Sequence, residues 1–217
     1  MTAANAMQEY ESLSILDLAI KGGWIMPILL ILSIIAIYIF VERWLVINKA
    51  GKEDKYFMDE IKSFIHQGRI SEALTLCRMK DSPTARMIEK GISRLGKPLN
   101  DINAAIENVG NLEVSRLEKN LTGLATIAGA APMLGFLGTV MGMVRAFYDM
   151  ANAGNNIDIQ LLSSGIYQAM ITTVGGLIVG IIAYIGYNVL VARVDRVIFK
   201  LEANTSEFLD LLNEPME

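Results

Sequence analysis

Two long stretches of this 217-residue chain lack charged residues altogether, and this absence decides its class. Residues 121–144 and 159–192 contain no Asp, Glu, Lys, Arg or His. At about 1.5 Å per residue, a helix of either length can cross a hydrocarbon layer of about 30 Å. A third apolar segment, 24–41, is followed by charged and aromatic residues of the kind that anchor helices at a membrane boundary. The sequence therefore predicts three membrane-spanning helices.

The chain has one cysteine and one histidine, and these low numbers exclude several kinds of site. Cys77 has no partner for a disulfide within the chain, and we expect a small core residue. His66 has no second His or Cys at metal-ligand spacing, which indicates a surface or capping histidine. The sequence has no Walker, zinc, nucleophile-elbow or dinucleotide motif. We expect no enzyme activity, metal or cofactor, and the net charge of −4 does not favour nucleic acid as a partner.

Basic residues are distributed unevenly, and their distribution predicts the topology. Most of the 19 Lys and Arg lie between residues 48 and 120, and Arg193, Arg196 and Lys200 lie in the tail. By the positive-inside rule these regions are cytoplasmic, and the N-terminus and the link after the second span face outward. The acidic residues near the N-terminus do not fit a signal peptide, so we interpret the first span as retained.

These features divide the chain into seven predicted segments. They are a periplasmic N-terminal segment with an amphipathic helix (1–21), a first membrane helix (22–47), a cytoplasmic helical domain (48–120), a second membrane helix (121–147), a periplasmic link (148–160), a third membrane helix (161–192) and a cytoplasmic C-terminal helix (193–217). Glu42, Arg43 and Arg145 fall near the boundaries of these spans, where we expect interfacial anchors and helix-surface pairs.

The region between the first and second spans has helical rather than alternating spacing of apolar residues. Gly68 is expected to end one helix, Ser71 to cap the next, and Ser82 with Pro83 to begin a third. A break is predicted at 96–98. The fold class is therefore all-α: a polytopic membrane protein with three transmembrane helices, the second and third being long and extending into a cytoplasmic helical bundle.

Glycines recur at spacings of three and four in the second and third spans. They are Gly135, Gly138 and Gly142 in the second span, and Gly175, Gly176 and Gly180 in the third. Small residues at this spacing let helix backbones approach closely in lipid, where the hydrophobic effect does not drive association. A tightly packed bundle would explain the glycines by itself. We expect them to be helix-packing residues.

Four polar residues in these spans suggest more than packing. Thr139, Thr172 and Thr173 can back-bond to their own helices, whereas the amide of Gln168 needs a partner or water. None of them titrates near neutral pH. If this protein conducts protons, another chain must therefore supply the carboxylate.

Three segments carry a resemblance to a known family. The segments APMLGFLGTVMGM (131–143) and GIYQAMITTVGGLIVGIIAYIGYN (165–188) resemble the second and third transmembrane segments of the MotA, TolQ and ExbB family. The segment HQGRISEALTLCRMKDSPTARMIEKGI (66–92) resembles the cytoplasmic portion of ExbB-type members. Three spans with a large loop after the first suit ExbB or TolQ, and the extended leader favours ExbB.

The resemblance implies a subunit of a proton-driven motor in the bacterial inner membrane. Members form a homopentameric ring around single-span helices of an ExbD-like partner, whose aspartate carries the proton. Thr139 and Thr173 match family threonines that line the lumen near this aspartate, and Thr172 and Gln168 are assigned to the same path. The implied work is coupling of the proton motive force, through a TonB-like protein, to outer-membrane transport.

One position departs from the family pattern. ExbB and TolQ relatives often have a glutamate where this chain has Gln168, and glutamine cannot relay a proton by titrating. Two other interpretations of the chain remain open. One is a TolQ-like or gliding-type stator subunit, and the other is a non-conducting membrane scaffold that uses the packed helices only to anchor partners.

Overall fold

The computed structural model describes residues 23–52, 56–152 and 159–213, and within these residues all regular structure is helical. The helices are α1 (Ile25–Ala50), α2 (Phe57–His66), α3 (Ile70–Met79), α4 (Pro83–Ile92), α5 (Leu99–Glu118), α6 (Leu121–Asn152) and α7 (Ile159–Asn213). The predicted all-α class is confirmed for the described residues. The predicted N-terminal amphipathic helix and residues 153–158 of the predicted periplasmic link lie outside them.

Three helical stretches are long and apolar enough to cross a membrane, as predicted. They lie within Ile25–Ala50, Leu99–Asn152 and Leu162–Asn213. The last belongs to α7, a helix of 55 residues that continues without interruption from the third span into the tail. At about 1.5 Å per residue α7 is roughly 80 Å long, well over the thickness of a bilayer. The chain therefore has the helices of a multi-pass membrane protein, and α7 is longer than a bilayer is thick.

The chain divides into two compact units. The first, which we call the transmembrane unit, comprises Met1–Ile39 and Gly123–Tyr187. Its buried cluster contains Ile25 and Leu29 of α1 and Ala131 of α6. Most other large apolar side chains described in this unit face outward, including Phe136 and Ile182. An apolar exterior suits a unit whose solvent is lipid.

The second unit, which we call the charged unit, comprises Phe40–Thr122 and Asn188–Glu217. Here α3 packs against α4 and α4 packs against α5. Ile88 of α4, Ile106 of α5 and Phe208 of α7 are fully buried. Gly91 keeps these elements close, because a Cβ built there would lie 2.6 Å from the Phe208 ring and 2.8 Å from Ile106. This unit has an ordinary large-residue hydrophobic core.

The predicted helix boundaries of the charged unit are confirmed with one exception. Ser82 caps α4 by accepting a hydrogen bond from the Ala85 amide at 3.2 Å, and Pro83 is its first residue. Gly68 and Gly96 have φ angles of +68° and +88°, in the left-handed region that favours glycine after a helix. The prediction that Ser71 caps α3 is wrong. The turn at Gly68 redirects the chain so sharply that α3 already begins at Ile70, and Ser71 lies inside it.

Candidate functional site

Helices α6 and α7 touch backbone to backbone at a pair of glycines. A Cβ atom built on Gly176 would lie 2.6 Å from the Ala131 carbonyl oxygen and 2.8 Å from the Cα of Gly135. A Cβ atom built on Gly135 would lie 2.8 Å from the Thr172 carbonyl oxygen. Real Cβ atoms do not approach other atoms so closely. Both positions therefore require glycine at this helix separation.

The same close contact continues towards both ends of the helix pair. A Cβ on Gly142 would lie 2.8 Å from that of Ala169, and one on Gly180 would lie 2.5 Å from the Pro132 ring. Gly138 lies directly against the side chain of Thr172. The structure thus places five of the six predicted packing glycines at the α6–α7 contact. The sixth, Gly175, faces α1 instead, where a Cβ would lie 3.2 Å from the sulfur of Met26.

One threonine from each helix meets the other at this contact. The Oγ1 atoms of Thr139 on α6 and Thr173 on α7 lie within hydrogen-bond distance of each other. Thr139 Oγ1 also lies 3.0 Å from the Ala169 carbonyl oxygen of α7. Thr173 Oγ1 lies 3.2 Å from the Gly135 carbonyl oxygen of α6. The two hydroxyls form a chain that runs from a carbonyl of one helix to a carbonyl of the other.

This chain has fewer protons than possible hydrogen bonds. It contains three oxygen–oxygen links, from Ala169 O through both hydroxyls to Gly135 O, and each hydroxyl has only one proton to donate. Thr139 can donate to Thr173 while Thr173 donates to the carbonyl, or the direction can reverse. Both side chains are half-buried, so part of each stays accessible from outside the helix pair. The arrangement can therefore switch its polarity and accept a further partner.

Thr172 has a different environment from its neighbour. Its side chain is buried, and its Oγ1 lies 2.6 Å from the Ala169 carbonyl oxygen and 3.2 Å from that of Gly135. These are the two carbonyls at the ends of the hydroxyl chain. Within the protomer Thr172 can donate its one hydroxyl proton to either carbonyl from the interior, and its predicted place on a lumen wall stays a prediction.

Gln168 lies away from the threonine pair, on an exposed part of α7. Its Nε2 packs against the turn before α1, where a Cβ built on Gly23 would lie 2.6 Å away. Gln168 and Thr172 line a cleft of about 640 Å³ that also includes Arg145 and Asp149. Arg145 Nε lies 3.9 Å from the Asp149 carboxylate, one helical turn further along α6. The cleft thus brings polar side chains next to the inner threonine.

The predicted interfacial pair Glu42 and Arg43 belongs to the charged unit. Arg43 is paired with Glu42 and donates from Nη1 to the Arg116 carbonyl oxygen at 3.1 Å. Only 5% of Arg43 is exposed, which differs from the helix-surface position predicted for it. The reason is that the carbonyl at the end of α5 lacks a helical partner and accepts the guanidinium hydrogen bond. Arg145, by contrast, is exposed.

Two contributors to the site were not predicted from the sequence. The carbonyl groups of Gly135 and Ala169 are the acceptors at the ends of the hydroxyl chain. Each lies four residues before a threonine, the spacing at which Thr hydroxyls bond back to their own helix. That spacing could have identified the two carbonyls as acceptors for the threonines of their own helices. It could not have shown that each threonine also bonds to the opposite helix, because this depends on how closely the glycines let the helices approach.

The fold and the site define a class: an all-helical, multi-pass membrane protein with a hydroxyl chain between two spans. The family model described as the MotA/TolQ/ExbB proton channel family matches residues 79–203, which is more than half of the sequence. The chain belongs to this family. The matched region includes both threonines and every glycine of the α6–α7 contact.

Three relatives place the chain more closely. It is 28% identical over 190 residues to the biopolymer transport protein ExbB homolog of Methanothermobacter thermautotrophicus, with 87% of this chain and 67% of the relative covered. It is 27% identical over 214 residues to the Tol-Pal system protein TolQ of Haemophilus influenzae, with 91% of each covered. It is 25% identical over 177 residues to the biopolymer transport protein ExbB of Neisseria meningitidis, with 75% and 79% covered. The chain is therefore a proton-channel subunit of the ExbB/TolQ type.

Proposed function

We propose that this protein is an ExbB-like subunit that couples the proton motive force to TonB-dependent transport across the outer membrane. The hydroxyl chain of Thr139 and Thr173 carries the proposal, because it is a switchable polar element at membrane depth in a chain of a proton-channel family. The proposed partners are an ExbD-like single-span protein and a TonB-like protein. The protein would lie in the bacterial inner membrane, with a periplasmic N-terminus and a cytoplasmic C-terminus.

The proposed mechanism starts from the missing titratable group. No Asp, Glu, Lys, Arg or His occurs in residues 121–144 or 159–192, so the wall itself cannot bind and release a proton. A partner aspartate would dock at the accessible side of Thr139 and Thr173. When ionised, it would accept a hydrogen bond from one hydroxyl, which offsets part of the cost of its charge in lipid. When protonated, it would donate to a hydroxyl, and the direction of the chain would reverse.

Water would reach this point through the cleft beside Gln168. The cleft is lined by Gln168, Arg145 and Asp149 and extends to Thr172, whose hydroxyl shares both carbonyls with the chain. The glutamine amide would orient water there without titrating. We propose that Gln168, in place of glutamate, still orients water in the cleft. The proton would then be bound only by the partner's carboxylate.

The proposed assembly is a homopentameric ring whose inner wall comes from α6 and α7. The exposed apolar side chains of these helices supply surface for lipid and for neighbouring protomers; they include Met133, Phe136, Val140, Val174 and Ile178. The predicted division of the chain into periplasmic, membrane and cytoplasmic segments is part of this proposal. The long helix α7 would connect the wall to the cytoplasmic helices.

Isosteric replacement of the hydroxyls tests the proposal. Thr139→Val and Thr173→Val keep the side-chain shape and remove the hydroxyl, whereas Thr139→Ser and Thr173→Ser retain it. We expect each Val variant to lower energised uptake by at least about tenfold, because a hydrogen bond to a charged group contributes about 1.5–3 kcal/mol, and each Ser variant to retain most of it. Thr126→Val on the exposed face of α6 is the matched control. Assembly with the partner is measured in parallel by co-purification.

The experiment separates the motor from a membrane scaffold. Normal assembly with lost uptake in the Val variants supports the motor. Unchanged uptake in both Val variants would support a non-conducting scaffold. Complementation tests separately which process the subunit energises, because the relatives include both ExbB and TolQ proteins at similar identity. Restored TonB-dependent growth supports the ExbB-like role, and restored envelope integrity alone would support a TolQ-like or gliding-type stator.

A further inference from the structure

A groove lined by cations lies within the charged unit, between the end of α1 and the middle of α7. Its volume is about 270 Å³, and its cationic lining residues are Lys52, Arg193, Arg196 and Lys200. On α7 the last three are spaced i, i+3 and i+7, which places them on one helix face. The described lining contains no carboxylate. The groove therefore has strong positive potential and a defined shape.

The floor of the groove is formed by apolar side chains and by the backbone of Gly51. Ile47 of α1 and Val197 of α7 lie between the cationic walls, and both are buried. Gly51 lies beside Val197, because a Cβ built there would be in van der Waals contact with that side chain at 3.4 Å. Lys200 Nζ donates to the Gly51 carbonyl oxygen at 3.3 Å. This hydrogen bond uses one of the three protons of the Lys200 ammonium group and holds that group at the rim of the groove.

One end of the groove is tied to an interfacial aromatic residue. The guanidinium of Arg193 stacks on the Trp44 ring, with 3.4 Å between its carbon and the ring centroid, and donates to Asn48 at 3.4 Å. Tryptophan concentrates at membrane–water interfaces. Trp44 and Asn48 lie one turn apart on α1, and Gly51 follows the last residue of that helix, so the groove lies along the end of α1.

Among the residues that the structure describes, the carboxylate in the adjoining depression is already paired. Asp81, in the adjoining depression, is held by Lys49 at 2.8 Å and Arg86 at 2.7 Å. Within the described part of the chain, neither Lys52 nor Arg196 has an ion-pair partner. Guanidinium and ammonium groups above an apolar floor, at the level of an interfacial tryptophan, match a phosphodiester headgroup with its glycerol and first methylenes.

We propose that this groove binds the headgroup of an anionic phospholipid such as phosphatidylglycerol. Arg193 and Arg196 would contact the phosphate oxygens, Lys200 and Lys52 would supply further positive charge, and Ile47 with Val197 would contact the glycerol end of the acyl chains. The bound lipid would fill the junction where α1 and α7 leave the membrane. This site is independent of the threonine pair and of any proton movement there.

Lipid retention by the purified full-length protein tests the site. The protein in neutral detergent is titrated with phosphatidylglycerol or phosphatidylcholine, and bound lipids are counted by native mass spectrometry. We compare Arg196→Gln/Lys200→Gln with the control Lys62→Gln/Arg94→Gln, which removes the same charge elsewhere in the charged unit. Each cation near an anionic headgroup contributes about a fivefold change in affinity. The groove variant should therefore bind phosphatidylglycerol about 25-fold more weakly, and the control should match wild type.

Measurements on the wild-type protein test the site without depending on how well the groove variant folds. Wild-type retention of phosphatidylglycerol should fall when salt rises from 0.05 to 0.5 M, since screening weakens accessible charge pairs. Equal retention by groove and control variants would overturn the proposal. So would protection against thermal unfolding by glycerol 3-phosphate or inorganic phosphate equal to that by the lipid, which indicates a free phosphate site. Stronger binding of a polyglutamate peptide than of the lipid would instead indicate an acidic protein segment and would also overturn it.

Discussion

The two units hold their helices together by opposite means. In the transmembrane unit the closest contacts join backbone to backbone, with Gly135 and Gly176 facing each other. In the charged unit the core contains large residues such as Phe57, Ile88 and Phe208. Water drives large apolar side chains together, but lipid does not distinguish a Leu in a helix contact from one facing outward. In lipid, association has to come from close packing and from hydrogen bonds, which glycine and threonine provide.

Charge is also used differently in the two units. The charged unit buries Glu113, whose carboxylate accepts from Arg86 at 2.7 Å and from Arg116 at 2.7 Å. The polar contacts between α6 and α7 in the transmembrane unit join hydroxyl groups to carbonyl groups instead. Hydroxyls cost far less to remove from water than charges do. Hydroxyl groups can therefore stay in the membrane at low cost and form hydrogen bonds with a charged group when another helix supplies one.

The largest expected effect is loss of the backbone contact. Gly176→Val places a branched side chain where a Cβ alone would lie 2.6 Å from a carbonyl oxygen, and backbone cannot yield as a flexible side chain can. We expect destabilisation by more than about 3 kcal/mol and loss of the monodisperse peak in size-exclusion chromatography. Gly129→Val is the control, because a Cβ at Gly129 meets nothing within 4 Å. Equal monodisperse peaks for the two variants would show that α6 and α7 can move apart at Gly176 without loss of the fold.

A second prediction concerns how tightly the charged unit is closed. Cys77 is 1% exposed, and burial raises the pKa of its thiol to about 12, with a further contribution from the nearby Glu89 carboxylate. Against an ordinary value of 9.0, its thiolate fraction at pH 8 falls about a thousandfold. Alkylation by iodoacetamide should therefore be slower by at least this factor than after unfolding. Met79→Cys in a Cys77→Ala background is the matched control, since Met79 is 79% exposed on the same helix. Similar rates at both positions would show that the unit opens readily.

The buried carboxylate gives a smaller, more local effect. Glu113→Ala removes the partner of Arg86, whose side chain is 35% exposed, so water recovers part of the loss. We expect a cost of about 2 kcal/mol, below the value for a fully buried pair. Hydrogen exchange of the α4 amides should then speed up about 30-fold. Glu107→Ala on the exposed face of α5 should have little effect, and Arg86→Met with Glu113→Leu should restore most of the protection. Equal exchange rates in the two single variants would show that Glu113 does not stabilise the core of this unit.

Sequence patterns predicted the architecture because the physics behind them is local. The absence of charge over residues 121–144 and 159–192 predicts helices in lipid, and the structure places both stretches in helices that are long and apolar enough to cross a membrane. The Ser82–Pro83 cap and the breaks at Gly68 and Gly96 also depend on a few neighbouring residues. Ser71 shows the limit of this reasoning. A good capping residue was present, but the preceding glycine turn decided where the helix begins.

The candidate site was only half predictable, because it depends on distance between helices. The sequence identified Thr139, Thr172 and Thr173 but could not separate them by role. The glycine contacts between α6 and α7, including that of Gly135 with Gly176, set the helix separation at which two hydroxyls meet and the third is buried. Arg43 is similar, since its burial depends on the Arg116 carbonyl, 73 residues away in the chain. Local patterns give residue types, whereas the roles come from long-range packing.

The smallest expected effect separates exposed from buried charge within the charged unit. Lys49, by its hydrogen bond and its charge, and then Arg86 lower the pKa of the Asp81 carboxyl below its ordinary value. The unfolded chain therefore binds this proton first as the pH falls. The stability that Asp81 contributes is complete above its unfolded pKa of about 3.9 and disappears as the pH falls through the lower folded value.

Because Asp81 is exposed, this contribution should be small and should respond to salt. We expect Asp81→Asn to lower the melting temperature slightly at pH 7, less at pH 7 in 0.5 M salt, and not at all once the pH is below the folded pKa. Asp210→Asn, on the exposed side of α7, removes the same charge without these partners and is the control. A difference that persisted in acid would mean that Asp81 acts through the chain turn before Ser82 rather than through its charge. If the charge explanation holds, the exposed pairs of this unit contribute little and the buried Glu113 carries its electrostatic stability.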